Sequence, residues 1–277
     1  MVNDLVRELR KPERLICRAL GLARSTFRYK SAAKSSGFLE ERIIHWATEK
    51  IKLGYLEITG LLRNEDRILV NHKKVERLWG ELGLKNRRRK KKYRKISGAA
   101  VRIRPERKNQ VWSYDIMTWK LFRGGKIRIL NILDEFTREC LAVLVARSIK
   151  ATDVEGVLAK LFIDRGRPTY LRSDNGSEFT ARSLMAWLTK LNVWNIFIDP
   201  GSPWQNGFCE SFNGKMRNEC LDINVCSTLL EAEYVVKEWV GFYNTVRPHS
   251  SLGYRPPAPE AVLPAVFGRA DLCLSLN

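Results

Sequence analysis

Cysteine and histidine are scarce in the arrangements that build metal or disulfide sites. The six cysteines include no CxxC pair, and the three histidines, at 45, 72 and 249, are too scattered for an HxxxH pair. This distribution argues against a zinc finger. A disulfide framework is not expected in a chain of 277 residues without an export signal. We therefore predict reduced thiols and a cytoplasmic protein.

Long apolar runs and nucleotide-binding loops are also missing. The longest uninterrupted apolar run is Cys140–Ala146, far shorter than the roughly 18 residues that span a bilayer. The first fifteen residues mix charges and do not resemble a signal peptide. No phosphate-binding glycine-rich loop or GxSxG motif occurs, which argues against nucleoside triphosphatases and serine hydrolases. We predict no membrane partner.

Acidic residues are too few to balance the basic ones. The chain has 49 Lys and Arg against 30 Asp and Glu, so its net charge is +19. A chain this basic usually binds a polyanion, and with a membrane disfavoured the partner is nucleic acid.

The positive charge is concentrated between residues 85 and 108. This stretch holds 13 Lys and Arg and a single acid, Glu106, for a net charge of +12. Such a run cannot pack into a core, and it is either a solvated linker or a linker that contacts DNA phosphates without reading bases. We favour phosphate contacts, made by Arg87, Arg88, Arg89, Lys90, Lys91 and Lys92.

Residues 1–84 show the periodicity of short helices. In the stretch 13–30, apolar residues at helical spacing are followed by Gly21 and by a second helical segment, the outline of a helix-turn-helix. A second segment places Val75, Leu78, Trp79 and Leu82 on one helical face. We predict a helical DNA-binding region, the alternative being an ordinary small helical domain.

Residues 109–265 alternate between strand and helix patterns, and 266–277 form a tail. Three strands joined by short connections are expected to pair antiparallel, and two further strands alternate with helices. The order βββαβαβα predicts an α/β fold with a mixed five-stranded sheet. The predicted strands are 111–119, 126–134, 140–146, 168–173 and 193–198; the predicted helices include one capped by Thr152 and Glu155 and one capped by Thr228 and Glu231.

Three carboxylates stand in positions that need a partner. Asp115 lies within an apolar strand, where an ionised group is costly unless it is paired or binds a metal. Asp174 ends a strand, where open α/β sheets gather their sites, and Glu210 lies on the helix after the last strand. We predict that Asp115, Asp174 and Glu210 are both the catalytic residues and the ligands of Mg²⁺.

The helix that carries Glu210 also predicts DNA contacts. Seven residues at about 100° each return Arg217 to within about 20° of Glu210, whereas Lys215 falls about 140° away. We therefore expect Arg217, not Lys215, to hold a DNA phosphate. Asn206 and Asn213 lie near the same face and are further predicted DNA contacts.

These motifs resemble a known family. The chain is similar to the OrfB-type transposases of bacterial insertion sequences, whose catalytic core is of the retroviral-integrase, RNase H-like type with a DDE triad. The segments that carry the resemblance are WSYD (112–115), DEFTREC (134–140), RSDNGSEF (172–179), SPWQNGFCESFNGKMRNE (202–219) and YNTVRPHSSLGYRPP (243–257). One departure is LGYLEI (53–58), where relatives usually carry basic residues.

The resemblance implies an enzyme that uses two Mg²⁺ ions, with Mn²⁺ able to substitute. A water molecule or a DNA 3′-hydroxyl attacks a phosphodiester, which gives strand cleavage and strand transfer. The partners implied are double-stranded DNA, an upstream OrfA-type protein or an OrfA–OrfB fusion, and further copies of the chain on DNA. The chain begins without an OrfA-like segment, and two alternatives stay open: activity of this chain alone, or activity only together with that partner.

Other polar residues are expected to be structural. We predict strand-end and turn roles for Asp134 and Glu135, a helix-start role for Glu178, hydrogen bonding or packing for His249, and burial for Cys209. Two alternative functions stay open. One is a hydrolysis-only RNase H-like nuclease, and the other is a DNA-binding regulator, a decayed element without strand-transfer activity.

Overall fold

The computed structural model describes residues 11–28, 37–85, 103–199, 206–258 and 265–267. The six predicted phosphate contacts at 87–92 lie outside these ranges. The chain divides into two compact units, residues 1–41 and 42–277. The second unit contains the sheet together with helices that the sequence-based division had grouped with residues 1–84.

The first unit contains the helix-turn-helix outline predicted from the sequence. Helix α1 (Glu13–Ala19) is followed by a turn and by α2 (Arg24–Arg28). Gly21 has a φ of 64°, a conformation that glycine adopts without steric cost. Ile16 and Cys17 are buried against Phe27, so the two short helices share a small apolar core.

Helix α3 (Gly37–Glu49) leads into the second unit, where α4 (Tyr55–Asn64) and α5 (His72–Glu81) pack together. Val75, Leu78 and Trp79 are buried on the predicted face of α5, while Leu82 is half-buried after its end. In the atypical segment 53–58, Glu57 accepts a hydrogen bond from the backbone N–H of Gly54 and caps α4. Its carboxylate therefore supports the helix start.

The second unit is built on a mixed sheet in the order β5-β4-β1-β2-β3-β6. The five predicted strands are present, and a sixth short strand pairs in parallel with β3. As predicted, β1, β2 and β3 pair antiparallel, while β4 and β5 run parallel to β1. The strands are β1 (Val111–Lys120), β2 (Lys126–Asp134), β3 (Cys140–Ala146), β4 (Tyr170–Ser173), β5 (Trp194–Phe197) and β6 (Ala265–Phe267).

Helices cover both faces of the sheet. Because side chains alternate along a strand, Trp112 and Tyr114 of β1 face one helix pair and Met117 faces the other. The first pair is α6 (Ala151–Arg165) and α7 (Arg182–Lys190); the second is α8 (Gly207–Met216), extended by a π-helical turn (Arg217–Leu221), and α9 (Leu229–Thr245), followed by a 3₁₀ turn (Ser250–Leu252).

One of the two predicted helix caps is wrong. Helix α6 begins two residues earlier than the Thr152 cap requires, with Lys150 at the N-cap and the Asp153 carboxylate accepting from the Lys150 N–H at 2.8 Å. At α9 the predicted cap is confirmed, since Thr228 Oγ1 accepts from the N–H of Glu231 at 3.2 Å.

Among the described residues, no helix is both long and apolar enough to cross a membrane.

Candidate active site

Asp115 and Asp174 are brought together by the pairing of β1 with β4. The parallel register sets Ser113 opposite Arg172. Two residues further along each segment come Asp115, still on β1, and Asp174, just past the carboxyl end of β4. Neighbouring strands lie about 4.8 Å apart, and the negative charge of Asp174 contributes to the raised pKa of Asp115, so the two carboxylates are near neighbours.

The Asp115 side chain is held by two hydrogen bonds. Its Oδ1 accepts from the N–H of Ile116 at 2.9 Å, and its Oδ2 accepts from the side-chain amide of Asn213 at 2.6 Å. The oxygen of the Asn213 amide accepts in turn from Asn131 at 2.6 Å. Asn131 lies directly across from Asp115 on β2, so a chain of amides links the carboxylate to the neighbouring strand.

The charge of Asp115 is unfavourable in this setting. Burial raises its pKa to about 6, and the negative charges of Asp174 and, to a smaller extent, Glu210 contribute to the shift. The two hydrogen bonds from Ile116 and Asn213 oppose it. Asp115 therefore experiences repulsion from the charges of Asp174 and Glu210, which a bound cation would relieve.

Asp174 is positioned by a tight turn after β4. The backbone N–H of Gly176 donates to its Oδ1 at 3.0 Å, and a Cβ at position 176 would stand 3.1 Å from that oxygen. The Asn175 side chain donates to the carbonyl of Ile198 at 2.8 Å, which joins the turn to the end of β5. The Asn175–Gly176 turn thus sets where the carboxylate points.

Glu210 occupies the first turn of α8 and is exposed. Among the described residues, no three acidic, cysteine or histidine side chains converge closely enough to form a metal site. The donor set still suits a hard divalent cation, because it consists of carboxylate oxygens around a half-buried, mutually repelling pair. Asp115, Asp174 and Glu210 are the residues that could hold Mg²⁺.

Two of the predicted DNA contacts are interior residues. Asn213 is buried, and its side-chain amide donates to Asp115 and accepts from Asn131. Asn206 is buried too, with its amide nitrogen 3.5 Å from the carbonyl oxygen of Tyr114. The expectation of DNA contacts at these positions is corrected, because helical phase indicates a face but not what covers it. Arg217 is exposed at the first position of the π-helical turn.

A buried ion pair lies beside the acids. Arg172 and Glu135 are joined at 2.6 Å and are almost fully buried, and Arg172 also donates to the carbonyl of Ile103 at 3.0 Å. Asp134 accepts from the backbone N–H groups of Asn109, Phe136 and Thr137. The predicted strand-end and turn roles of Asp134 and Glu135 agree with these contacts.

The remaining acid and thiol have clear structural partners. Glu178 pairs with Arg128 of β2 and lies before the start of α7, so the expected helix-start role is corrected. Cys209 is buried against the sheet, and burial raises the pKa of its thiol well above the usual value. His249 bonds Ser251 through Nδ1 at 3.0 Å, and burial lowers its pKa to about 4.

Sequence reasoning missed Asn131 and Arg172 as supporting residues. Asn131 could have been found, because it is the single uncharged polar residue in the apolar strand KIRILNILD. Arg172 carries no comparable signal, since its buried partner Glu135 is 37 residues away and follows another strand.

Family models match three segments of the chain. Two models described as integrase core domain match residues 105–203 and 191–257, and a model described as HTH-like domain matches residues 39–92. Solved structures similar to the chain include the catalytic core of HTLV-2 integrase in complex with magnesium (15% identity, 53% of this chain and 93% of that one, TM-score 0.42) and a simian T-cell lymphotropic virus intasome (14%, 80% and 77%, TM-score 0.49).

Relatives among insertion elements are closer in sequence. A 39.2 kDa protein of insertion element IS476 from Xanthomonas euvesicatoria is 38% identical over 90% of this chain and 72% of its own length. A 31.7 kDa protein of IS407 from Burkholderia multivorans is 36% identical over 90% of both chains. The putative transposase InsK of IS150 from Escherichia coli is 26% identical over 84% of this chain and 87% of its own. The chain belongs to the insertion-element transposases that are built on an integrase core domain.

Proposed function

We propose that Asp115, Asp174 and Glu210 are the catalytic carboxylates with which this DDE transposase cleaves and joins DNA strands. The observation that supports the proposal most directly is the parallel pairing of β1 with β4, which brings Asp115 close enough to Asp174 for the charge of Asp174 to raise the pKa of Asp115. The negative charge of Glu210 contributes to the raised pKa of Asp115, so the third carboxylate lies within electrostatic range of the pair.

The same three residues are proposed to hold two Mg²⁺ ions, which Mn²⁺ could replace. When bound, such ions would polarise the scissile phosphate and lower the pKa of the attacking water or 3′-hydroxyl. The protein contributes orientation: the Asn213 amide fixes one oxygen of Asp115, and the N–H of Gly176 fixes one oxygen of Asp174. Glu210, on the exposed side of α8, is free to approach the pair from the helix.

The test compares DNA products from matched carboxylate variants. Purified protein is incubated with Mg²⁺, the upstream OrfA-type protein and labelled insertion-element ends, using Asp115→Asn, Glu210→Gln and, as a control, Asp164→Asn at the exposed end of α6. We expect strand-transfer products from the wild type and the control but not from the two site variants. All four proteins should bind DNA, because removing a carboxylate does not remove phosphate contacts.

The same experiment separates the alternative functions. Cleaved but unjoined DNA, lost in Asp115→Asn, would indicate a nuclease that only hydrolyses. Binding without any Mg²⁺-dependent product, even when the upstream OrfA-type protein is supplied, would indicate a DNA-binding regulator. Products that persist in both site variants would contradict the assigned triad.

The partners follow from the same proposal. Double-stranded DNA, as element ends and as target, is the substrate, and we propose that the chain acts as an oligomer on it with an OrfA-type protein. Adding that protein to the strand-transfer reaction, and measuring the mass of the protein–DNA complex with and without it, tests both points.

A further inference from the structure

Two adjoining cavities open on the flank of α8 that carries Lys215. They have volumes of about 830 Å³ and about 340 Å³ and share Arg138, Phe208 and Ser251, so together they form one continuous depression, which we term the flanking groove. Arg104, Phe136, Arg255 and Pro256 also line its larger part, and Ser211, Lys215, Tyr243 and His249 also line its smaller part.

The two acids that line the flanking groove, Glu135 and Asp134, already have hydrogen-bond or ion-pair partners. Glu135 is fully buried in its ion pair with Arg172. The oxygens of Asp134 accept three backbone N–H groups. The carboxylates of Glu135 and Asp134 therefore do not neutralise the basic side chains that line the groove, which are Arg104, Arg138, Arg255 and Lys215.

Lys215 lines the smaller part of this groove, although its position on the flank of α8 away from Glu210 predicted no phosphate contact there. It is half-buried, its ammonium donates to Ser211 Oγ at 3.0 Å, and among the residues the structure describes it has no ion-pair partner. The nearby Glu219 is engaged by both arms of the Arg247 guanidinium at 2.7 Å. A half-buried ammonium beside a hydroxyl, next to a glutamate that is already paired with an arginine, has the chemistry of a phosphate site.

The larger part of the groove adds flat surfaces. The guanidinium of Arg138 lies 3.7 Å from the centre of the Phe208 ring, and Phe136 is 45% exposed. Stacked guanidinium and aromatic planes hold unpaired bases regardless of sequence. This surface therefore favours a nucleotide over a simple anion such as phosphate alone.

We propose that the flanking groove binds a DNA strand next to the active site, with a backbone phosphate at Lys215 and Ser211 and an unstacked base on the Phe208–Arg138 pair. Glu210 and Lys215 lie on opposite flanks of α8, and an α-helix with its side chains is about 10 Å across. A strand that crosses α8 from the carboxylates thus reaches the groove within about three nucleotides at most, because 3.4 Å per nucleotide is the rise of a stacked duplex and an unstacked strand is more extended. The identity of that strand as substrate rests on the proposed function.

The test measures DNA binding in EDTA, where no chemistry takes place. Two probes are used, a blunt duplex and the same duplex with a single-stranded extension. Lys215→Met should lower affinity for both probes about tenfold, as expected for a lost charge-assisted hydrogen bond. The slope of log K against log salt should become shallower by about 0.7 to 0.9, the contribution of one phosphate contact.

Matched variants isolate the groove. Lys190→Met removes an equally positive but exposed side chain from α7 and should leave the slope unchanged, while Lys215→Arg should restore it. Phe208→Ala should weaken binding of the extended probe about fivefold or more while sparing the blunt duplex. Phe122→Ala, at a ring that is 77% exposed between β1 and β2, should change neither. Thermal melting of each variant confirms that it is folded.

The outcomes are separable from those of the strand-transfer experiment. A folded Lys215→Met protein with the wild-type salt slope overturns the phosphate site, and equal effects of Phe208→Ala on both probes overturn the base site. Neither result affects the carboxylate assignment, which depends on Asp115→Asn and Glu210→Gln. Conversely, a shallower slope in Lys215→Met supports the groove even if no variant yields joined DNA.

Discussion

The side-chain amide of Asn213 joins α8 to β1, donating to Asp115 at 2.6 Å while accepting from Asn131 at 2.6 Å. Because α8 also carries Glu210, this contact fixes the helix against the strand at the point where the acids must meet. Asn213 is therefore a positioning residue, and it acts through Asp115 rather than by touching DNA.

Removal of this amide should impair catalysis through the metal. We expect Asn213→Ala to lower the rate of strand transfer about 10- to 100-fold, the usual effect of losing a group that orients a metal ligand. The Mg²⁺ concentration needed for half-maximal rate should rise, and a merely destabilised protein would not show that shift. Asn224→Ala, which removes an amide that bonds the carbonyl of Cys220, is the control. An unchanged Mg²⁺ dependence in Asn213→Ala would contradict the role.

The sequence predicts the positions of Asp115 and Asp174 better than the packing around them, because the first depends on local patterns and the second on distant segments. Alternation along β1 and the end of β4 are local signals, and they suffice to bring Asp115 and Asp174 to one edge. What covers a residue depends on distant segments. Asn213 lies on the face of α8 that helical periodicity indicates, but that face packs on β1 and β2, so its amide meets Asp115 and Asn131 instead of DNA.

A glycine on α4 fits closely against the segment that follows α9. A Cβ added at Gly60 would stand 2.7 Å from Cβ of Pro248, and nearby the Asn64 amide donates to the carbonyl of Tyr254 at 2.8 Å. Gly60→Ala gains about 1 kcal/mol in helix propensity but incurs about 1–3 kcal/mol of overpacking. We expect net destabilisation, measured as a lower urea midpoint.

The matched control for this prediction is Gly80→Ala on α5. There a new Cβ meets the flexible end of Lys85 at 3.1 Å, which can move aside. Only the propensity gain remains, so this variant should be stabilised by up to about 1 kcal/mol. Equal effects of the two substitutions would show that the contact with Pro248 does not restrict α4.

Removing one partner of the Arg172–Glu135 ion pair should lower the free energy of unfolding much more than replacing both partners by apolar residues. Leaving one charge buried without its partner typically destabilises a protein by about 3–5 kcal/mol, so Glu135→Ala and Arg172→Ala should each lower the urea midpoint strongly. The double variant Glu135→Leu/Arg172→Met should lose much less than the sum of the single losses. A strictly additive double variant would mean that the two charges do not stabilise each other.

Arg217 remains a predicted phosphate contact. It is exposed on the helix that carries Glu210, seven residues further along. We expect Arg217→Ala to lower both DNA affinity and strand transfer about tenfold, the scale of a charge-assisted hydrogen bond. Arg182→Ala, at an exposed arginine in the first turn of α7, is the control. Equal, small effects of the two substitutions would remove Arg217 from the site.

Lys215 should make DNA binding sensitive to alkaline pH. Burial is the main cause that lowers the pKa of Lys215 to about 8, and the positive charges of Arg247 and Arg138 act in the same direction. The negative charges of Glu219 and Glu57 oppose the shift. The neutral His249, whose pKa is about 4, adds no competing titration in this range. As the pH rises through 8, Lys215 of the free protein loses its proton. Binding a phosphate then requires that Lys215 be protonated again, which lowers the affinity. Wild-type affinity relative to Lys215→Arg should therefore be nearly constant below pH 7 and fall about fivefold by pH 9. Because all other groups titrate alike in both proteins, a ratio that does not change with pH would show that Lys215 carries no phosphate.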